Sequence, residues 1–411
     1  MSDREFPRVV INEKAEKLLK NGHVWVYGAE IVSSSKIPEN GGIVDVFSRK
    51  SRYIGSGFYN SDSKIAVRLL STNANERFDE AFFARRIRYA LEYRKTVMQN
   101  DLSCTRLIFG DADMLPGMIA DKFGPVLVTQ IMCLGIEKRK DMIFRLLIEQ
   151  LREAGEEITV LYERNDVQVR KKEGLPLSCG YYHGFDLSDE RTGAPKTVRI
   201  CENGVIYDVD YRDGQKTGFF LDQKFNRQAV ASIAKGKNVL DCCTHTGAFA
   251  LNCRMAGAAH VTAVDVSADA IEASKKNAAL NGVDDIDFIQ ADVFDYLTSL
   301  KAAGGKSPYD YIILDPPAFT KNNATVKAAY RGYKEINLKA MQLLPRGGYL
   351  ATCSCSHFMT DELFRQMLLD AALDAKVQVR IIEGRKQAKD HPILLGVDET
   401  EYLKCYILQI V

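Results

Sequence analysis

No charge of one sign dominates this chain of 411 residues: 55 lysines and arginines stand against 54 aspartates and glutamates, for a net charge of +1. A polyanion is therefore not drawn in by the field of the whole molecule, and any nucleic-acid face must be local. No uninterrupted apolar run approaches the length of a bilayer span, so no membrane association is expected. The stretch Met1 to Val10 lacks the apolar core of a signal peptide, which points to the cytoplasm. The 10 cysteines follow no spacing frame and several fall inside expected strands, so reduced thiols fit better than a disulfide scaffold. Cys242-Cys243 and Cys353/Cys355 lack the CxxC spacing and histidine partners of a zinc site, and no metal is expected. Internal repeats and low-complexity segments are missing as well. What is present is an ordinary composition, 46% hydrophobic and 27% charged, in a chain long enough for two or three domains.

Three textures divide it. Residues 1–72 hold short β-like runs punctuated by glycine, "GGIVDVFS", "YIGSGFYN" and "KIAVRLLS", which predict a small barrel or sandwich. Residues 73–195 open on a basic helix with Phe83, Ile87, Ala90, Leu91 and Met98 at helical spacing. A hairpin turning at Phe-Gly-Pro, a helix around Lys138 to Ala154 and further strands follow, a small α+β domain. Residues 196–411 alternate strands with helices, the pattern of a parallel α/β sheet.

Within that third zone "KNVLD" predicts a first strand ending at Asp241, and "CCTHTG" leads into a helix. "HVTAVDV" is the second strand, after which Ser267 caps a helix that Gly282 stops. "IDFIQ", "YDYIILDPP" and "GYLATCS" supply strands three to five, and "VQVRIIEGR" and "YLKCYILQIV" two more, giving a Rossmann-like sheet of seven strands. A ligand in such a sheet binds beyond the carboxyl ends of the strands. Asp241, Asp265, Asp292 and Asp315 stand at four of those ends. Asp265 is placed to accept both hydroxyls of a ribose, and Asp292 an adenine amino group. The first loop, with Thr244, Thr246 and the single glycine Gly247, has too few glycines to admit a pyrophosphate. A nucleoside without phosphates fits, and S-adenosylmethionine is such a ligand, with a cationic amino-acid end suited to Asp241. One such aspartate is more often an ordinary strand-end cap; four at consecutive strand ends make a site.

The fourth strand runs into "LDPPAF". Pro316 and Pro317 stiffen the loop and leave its carbonyls free to grip an amino group, while Phe319 can stack on a base. In methyltransferases this pattern marks methylation of an exocyclic amine, as on guanine or adenine. The "TCSCSH" after strand five points elsewhere. Carbon 5 of a pyrimidine is a poor nucleophile until a thiolate adds to carbon 6, and a cysteine at the tip of strand five, across from Asp315, can supply that thiolate. Strand alternation puts Cys353 and Cys355 on one side, so periodicity does not choose between them; Cys355 lies further out. His357 nearby reads as packing as readily as catalysis. The rivals are amine methylation and a non-catalytic RNA-binding protein with a degenerate methyltransferase domain.

Taken with "VDVSADAIEASKKNAALNG", "RGYKEINLKAMQLL" and "GQKTGFFLDQKFNR", these segments resemble the RlmI-like family of 5-methylcytosine methyltransferases of large-subunit ribosomal RNA. "LPGMIADKFG" and "ERNDVQVRKKEGL" resemble that family's central domain, and residues 1–72 its N-terminal PUA domain, an RNA-binding barrel. The resemblance implies S-adenosylmethionine as cofactor, with Phe220 and Gln223 clamping it. It implies large-subunit (23S) ribosomal RNA as partner and is compatible with a homodimer. The family's Ser-Cys pair falls on Ser354-Cys355, which makes Cys355 the nucleophile and Cys353 its structural neighbour. Another class of RNA cytosine-5 methyltransferases carries a Pro-Cys loop where this chain has Pro316-Pro317; Asp315 is then the candidate base for the carbon 5 proton. Candidate phosphate contacts are Arg85, Arg86, Arg88, Arg94 and Lys95, then Arg170, Lys171 and Lys172, then Lys321, Lys327, Arg331 and Lys334. Such runs are more often solvated faces.

Overall fold

The run "KIAVRLLS" forms the strand Ile65–Ser71 and is buried from Ala66 through Leu70, more than the alternation of a one-sided strand predicts. Its two faces feed two different cores. Val67 and Leu69 join Val9, Ile11, Val44 and Val46 in one apolar cluster, while Leu70 joins Ile43 and Phe58 in another that is built mostly from residues 82–161. The computed structural model describes residues 6–189, 191–302 and 307–411. Residues 1–5, part of the stretch read as lacking a signal-peptide core, lie outside them.

By contacts the chain forms two units. One holds the residues up to Ile200 together with Val209–Leu221 and Lys389–Thr400; the other holds Cys201–Asp208, Asp222–Ala388 and Glu401–Val411. In the first, a six-stranded sheet runs in the order Trp25–Tyr27, Ile65–Ser71, Tyr53–Tyr59, Ile43–Ser48, Arg8–Ile11, Ile31–Ser34. A five-stranded sheet follows in the order Ser178–Tyr181, Val160–Asn165, Val126–Ile131, Met118–Phe123, Cys104–Phe109. The hairpin read at Phe-Gly-Pro joins Met118–Phe123 to Val126–Ile131. Phe58 stacks on Phe83 with ring centroids 6.4 Å apart, across the core that joins the two sheets. Gly135 permits this: a Cβ there would stand 2.1 Å from the Phe58 ring.

Two of the basic residues read as phosphate contacts serve the core instead. On the helix Glu80–Val97, capped by Asp79, Arg94 is fully buried and forks onto both carboxylate oxygens of Asp113 at 2.5 and 2.7 Å. Arg170 is likewise buried, bonded to Glu137 at 2.9 Å and to the carbonyl of Pro176. A buried guanidinium must find a carboxylate and carbonyls inside the fold, and sequence alone does not reveal burial. Arg88, Lys171, Lys172, Lys321, Lys327 and Arg331 are exposed.

In the second unit, helix α1 (Lys224–Ala231) precedes strand β1 (Asn238–Cys242), α2 (Ala248–Met255), β2 (His260–Asp265) and α3 (Ala268–Leu280). Then come β3 (Ile286–Gln290), α4 (Val293–Ala302), β4 (Tyr311–Leu314), α5 (Val326–Leu343) and β5 (Tyr349–Ser354). Helix α6 (Asp361–Ala375), β6 (Val379–Arg385) and β7 (Lys404–Ile410) complete it. Ser267 caps α3 by accepting from Ala270 N at 3.2 Å, and Gly282 just past its end has φ +65°, as the local chemistry demands. The sheet order is β3-β2-β1-β4-β5-β7-β6, with the strand ends of β1, β2, β4 and β5 in parallel register. The reading of a parallel sheet fails at β7, which is antiparallel to both neighbours. The chain between β6 and β7 carries no crossover helix, which a parallel return would require. Part of that connection, Lys389–Thr400, clusters with the first unit: Asp390, fully buried, accepts from Arg106 N at 2.8 Å. No helix among the described residues is long and apolar enough to cross a membrane.

Candidate active site

The loop after β1 is wound tightly. Cys243, His245 and Gly247 have φ of +64°, +53° and +78°, alternating with Thr244 and Thr246. Two of the three are not glycine, a strained arrangement that persists only where the surroundings enforce it. At Gly247, which opens α2, a Cβ would also meet Ser274 Cβ at 3.1 Å. The winding folds the loop around Asp241. That carboxylate is fully buried; its Oδ2 accepts from Thr244 Oγ1 at 2.6 Å and from Ala250 N at 3.0 Å, while its Oδ1 has no partner among the described residues. Burial, reinforced by the charges of Asp315 and Asp265, pushes Asp241 up to about 7 against the pull of those hydrogen bonds. Thr246 Oγ1, in the same loop, is another buried oxygen without a partner among the described residues. A carboxylate oxygen and a hydroxyl left open together suit the ammonium of an amino acid, the cationic end of S-adenosylmethionine.

The other strand-end carboxylates gather around the same loop. Asp265 is half-buried, with Oδ2 accepting from His245 N at 2.9 Å and Oδ1 from Ser267 N at 3.0 Å. Each oxygen keeps a further lone pair, so Asp265 braces the loop and can still take ribose hydroxyls. Asp292 is exposed and also accepts from Asp295 N at 3.1 Å, at the start of α4. Asp315, half-buried after β4, accepts from Gln223 Nε2 at 3.1 Å. All four charges bear on one group: the Cys243 thiol is held far above its usual range by burial first, then by Asp265, Asp315, Asp241 and Asp292. Gln223 is buried beneath Asp315, with its Oε1 accepting from Asn226 Nδ2 at 2.7 Å. Phe220 belongs to the first unit, where Lys216 Nζ lies 4.5 Å over its ring.

The two cysteines after Thr352 differ sharply. β5 ends at Ser354, so the alternation that would put both thiols on one side does not continue. Cys353 is fully buried opposite Cys405 on β7; its thiol is pushed well above the usual range by the hydrogen bond with Cys405 and by burial. Cys355, one residue past the strand, is part-exposed. Beneath it lies Tyr333 of α5, held up to about 12 by burial and affected by both Cys355 and Asp315. In the adjoining "DPPAF" segment Pro316 is buried and Pro317 exposed. Phe319 packs against Tyr333, ring centroids 4.4 Å apart, leaving it half-buried. Ser356 Oγ ties the two loops by donating to the carbonyl of Thr320 at 2.9 Å. His357 Nδ1 lies 3.4 Å from the carbonyl of Glu401.

Two residues escaped the sequence reading. Tyr333 sits in a helix whose apolar spacing hides it among core positions. Lys404 begins β7 and is 2% exposed, its Nζ donating to the carbonyls of Ser356 at 2.6 Å and Tyr402 at 2.9 Å. The signal for it was there: a lysine inside the apolar strand "YLKCYILQIV".

Residues 9–72 match a PUA-like domain and residues 178–406 an S-adenosylmethionine-dependent methyltransferase. The ribosomal RNA large subunit methyltransferase I of Shewanella denitrificans is 40% identical over 408 residues, 98% of this chain and 99% of that one. The protein of the same name from Klebsiella pneumoniae is 37% identical over the full length of both. Among solved structures, the methyltransferase SMU.776 complexed with SAH superposes with a TM-score of 0.82 at 22% identity, covering 98% of this chain and 99% of that one. A methyltransferase from Streptococcus mutans gives 0.80 at 21% over the same shares; at that identity the two attest the fold. The chain therefore belongs to the family of S-adenosylmethionine-dependent methyltransferases whose curated members are named ribosomal RNA large subunit methyltransferase I.

Proposed function

We propose that the chain methylates carbon 5 of a cytosine in large-subunit ribosomal RNA, in the cytoplasm, with Cys355 as nucleophile and Asp315 as proton acceptor. Residues 1–72 serve as the RNA-holding domain, 73–195 as the central domain and 196–411 as the methyltransferase domain. S-adenosylmethionine supplies an electrophilic methyl carbon on its sulfonium. Asp241, with Thr244 and Thr246, holds its ammonium; Asp265 and Asp292 hold the ribose and the adenine; Gln223 steadies Asp315, and Gly247 lets the loop close on the ligand. The Cys355 thiolate bonds to carbon 6, and the carbon 5–carbon 6 pair is freed to take the methyl at carbon 5. Asp315 then removes the carbon 5 proton, the double bond re-forms, and the thiolate leaves. Pro316, Pro317 and Phe319 line the base.

The contrast between the thiols carries this reading: Cys353 is sealed against Cys405, whereas Cys355 is part-exposed next to the strand end that bears Asp315. The test is ribosomal RNA containing 5-fluorocytosine, in which fluorine replaces the proton that must leave. A covalent protein–RNA adduct is expected with the wild type and with Cys353→Ala and not with Cys355→Ala. Mapping should show new 5-methylcytosine on ribosomal RNA only when active protein is present. A Cys355→Ala protein that still transfers methyl groups would favour an exocyclic amine as acceptor.

A further inference from the structure

Lys404 is a buried cation with no ion-pair partner among the described residues. Among the described residues no carboxylate oxygen lies within ion-pair distance of its Nζ, which is held only by the carbonyls of Ser356 and Tyr402. Two acceptors leave one of its three hydrogens unused. The buried arginines behave otherwise: Arg94, Arg106 and Arg227 each meet a carboxylate at 2.7 Å or less. A desolvated ammonium without a counter-charge is costly unless an anion comes to it.

The register says where that anion would be. Lys404 faces Ser354 across the β5–β7 ladder, and its ammonium reaches the carbonyl of Ser356. It thus grips the chain on both sides of Cys355. The charged groups that act on it are Cys355, Glu401, Asp361 and Lys386. Of these, Glu401 is engaged with Lys386 and Asp361 with the hydroxyl of Tyr406. Cys355 is the largest of the charge effects, second only to burial.

We propose that Lys404 is a positioning residue for Cys355: its ammonium, fixed beneath the Ser354–Ser356 segment, is the counter-ion that keeps the Cys355 sulfur as a thiolate. The inference rests on the reading of Cys355 as nucleophile. Burial, opposed by Cys355, brings Lys404 down to about 8, so part of the population is neutral amine near physiological pH. That amine takes the thiol proton: the S–H bond breaks, an N–H bond forms, and a neutral thiol–amine pair becomes a thiolate–ammonium pair with no change in net charge. Thiolate reactivity beside a lysine is the expected consequence.

The test is alkylation of full-length protein by iodoacetamide across pH, read by mass spectrometry at the Cys355 peptide, with the exposed Cys201 as reference thiol. In the wild type the Cys355 midpoint should lie below that of Cys201; a midpoint at or above it would overturn the proposal with no substitution needed. In Lys404→Met, alkylation of Cys355 near neutral pH should slow about tenfold and kcat should fall in step, with cofactor affinity and Cys201 unchanged. Lys404→Arg should restore much of both. An unaltered Cys355 profile in folded Lys404→Met would sink the counter-ion role while leaving the nucleophile in place. The nucleophile reading fails separately, if the wild type traps no 5-fluorocytosine adduct through Cys355.

Discussion

Buried charge is treated in opposite ways in the two units. In the first, Arg68, Arg94, Arg106 and Arg170 each meet a carboxylate: Glu173, Asp113, Asp121 and Glu137. Each of these charges has an opposite charge at hand, although the Nε of Arg68 has no hydrogen-bond partner among the described residues. The second unit has such a pair in Arg227 with Glu202, and then departs from the rule. Among the described residues, Asp241 keeps an open oxygen in the interior and Lys404 has no carboxylate within ion-pair distance. A fold tolerates such groups only where something else supplies the missing partner. Buried charges that meet an opposite charge therefore mark architecture, and those left without one mark the proposed site.

The strongest way to break that contrast is Cys355→Ala. Methyl transfer should fall by ~10³ or more, as when a nucleophile is deleted elsewhere, with cofactor binding retained, whereas Cys353→Ala should keep most of the activity. Comparable loss in both would mean that the sealed and the open thiol are not distinguished by role. On the architectural side, Arg94→Met leaves the Asp113 carboxylate without its cation, held only by Phe109 N among the described residues, and should cost the first unit about 3–5 kcal/mol. Chemical denaturation should show the loss, with activity per folded molecule unchanged.

Next in size is Asp265→Asn, which should weaken S-adenosylmethionine by roughly 1.5–3 kcal/mol, the worth of a hydrogen bond to a charged group. Calorimetry giving wild-type affinity for the folded variant would remove Asp265 from the cofactor. Smaller still is a pH effect at Asp241. The free protein carries a proton there below about pH 7, because burial raises this carboxyl. An ammonium beside it favours the ionised form, so binding must expel that proton at low pH. Affinity should climb toward pH 7 by up to about tenfold per unit and flatten above it. Asp241→Asn should erase the slope. The least effect is expected from the exposed Arg331→Ala, which should lower the salt dependence of RNA binding by about one ion.

Deleting residues 1–72 to isolate RNA binding is a poor test, because Phe58 and Leu70 share a core with Phe83 and Ile87. This marks where sequence stops being informative. Ser267 and Gly282 were legible because a cap is settled by a few neighbouring atoms. The four aspartates were legible because strand ends can be read from period and punctuation. Arg94 and Arg170 were misread, since a basic run looks the same whether it faces solvent or a carboxylate far along the chain. The direction of β7 was hidden as well, because a strand has the same pattern read either way. Lys404 was visible as an oddity, and only its cross-strand partner Ser354 gives that oddity a purpose.

The passage of Lys389–Thr400 into the first unit has a consequence for biosynthesis. Arg94 and Arg106 are made early, but Arg94 donates to the carbonyl of Asp390 at 3.0 Å, and the Asp390 carboxylate receives Arg106 N at 2.8 Å. On a ribosome adding ~5–20 residues per second, those partners emerge roughly 15–60 s after the arginines. During that interval the N-terminal part waits with an open seam, and β7, which brings Lys404 to Ser354, comes later still. A stretch translated late thus finishes the early-made core and the proposed active centre almost together, so an interrupted chain would leave both incomplete.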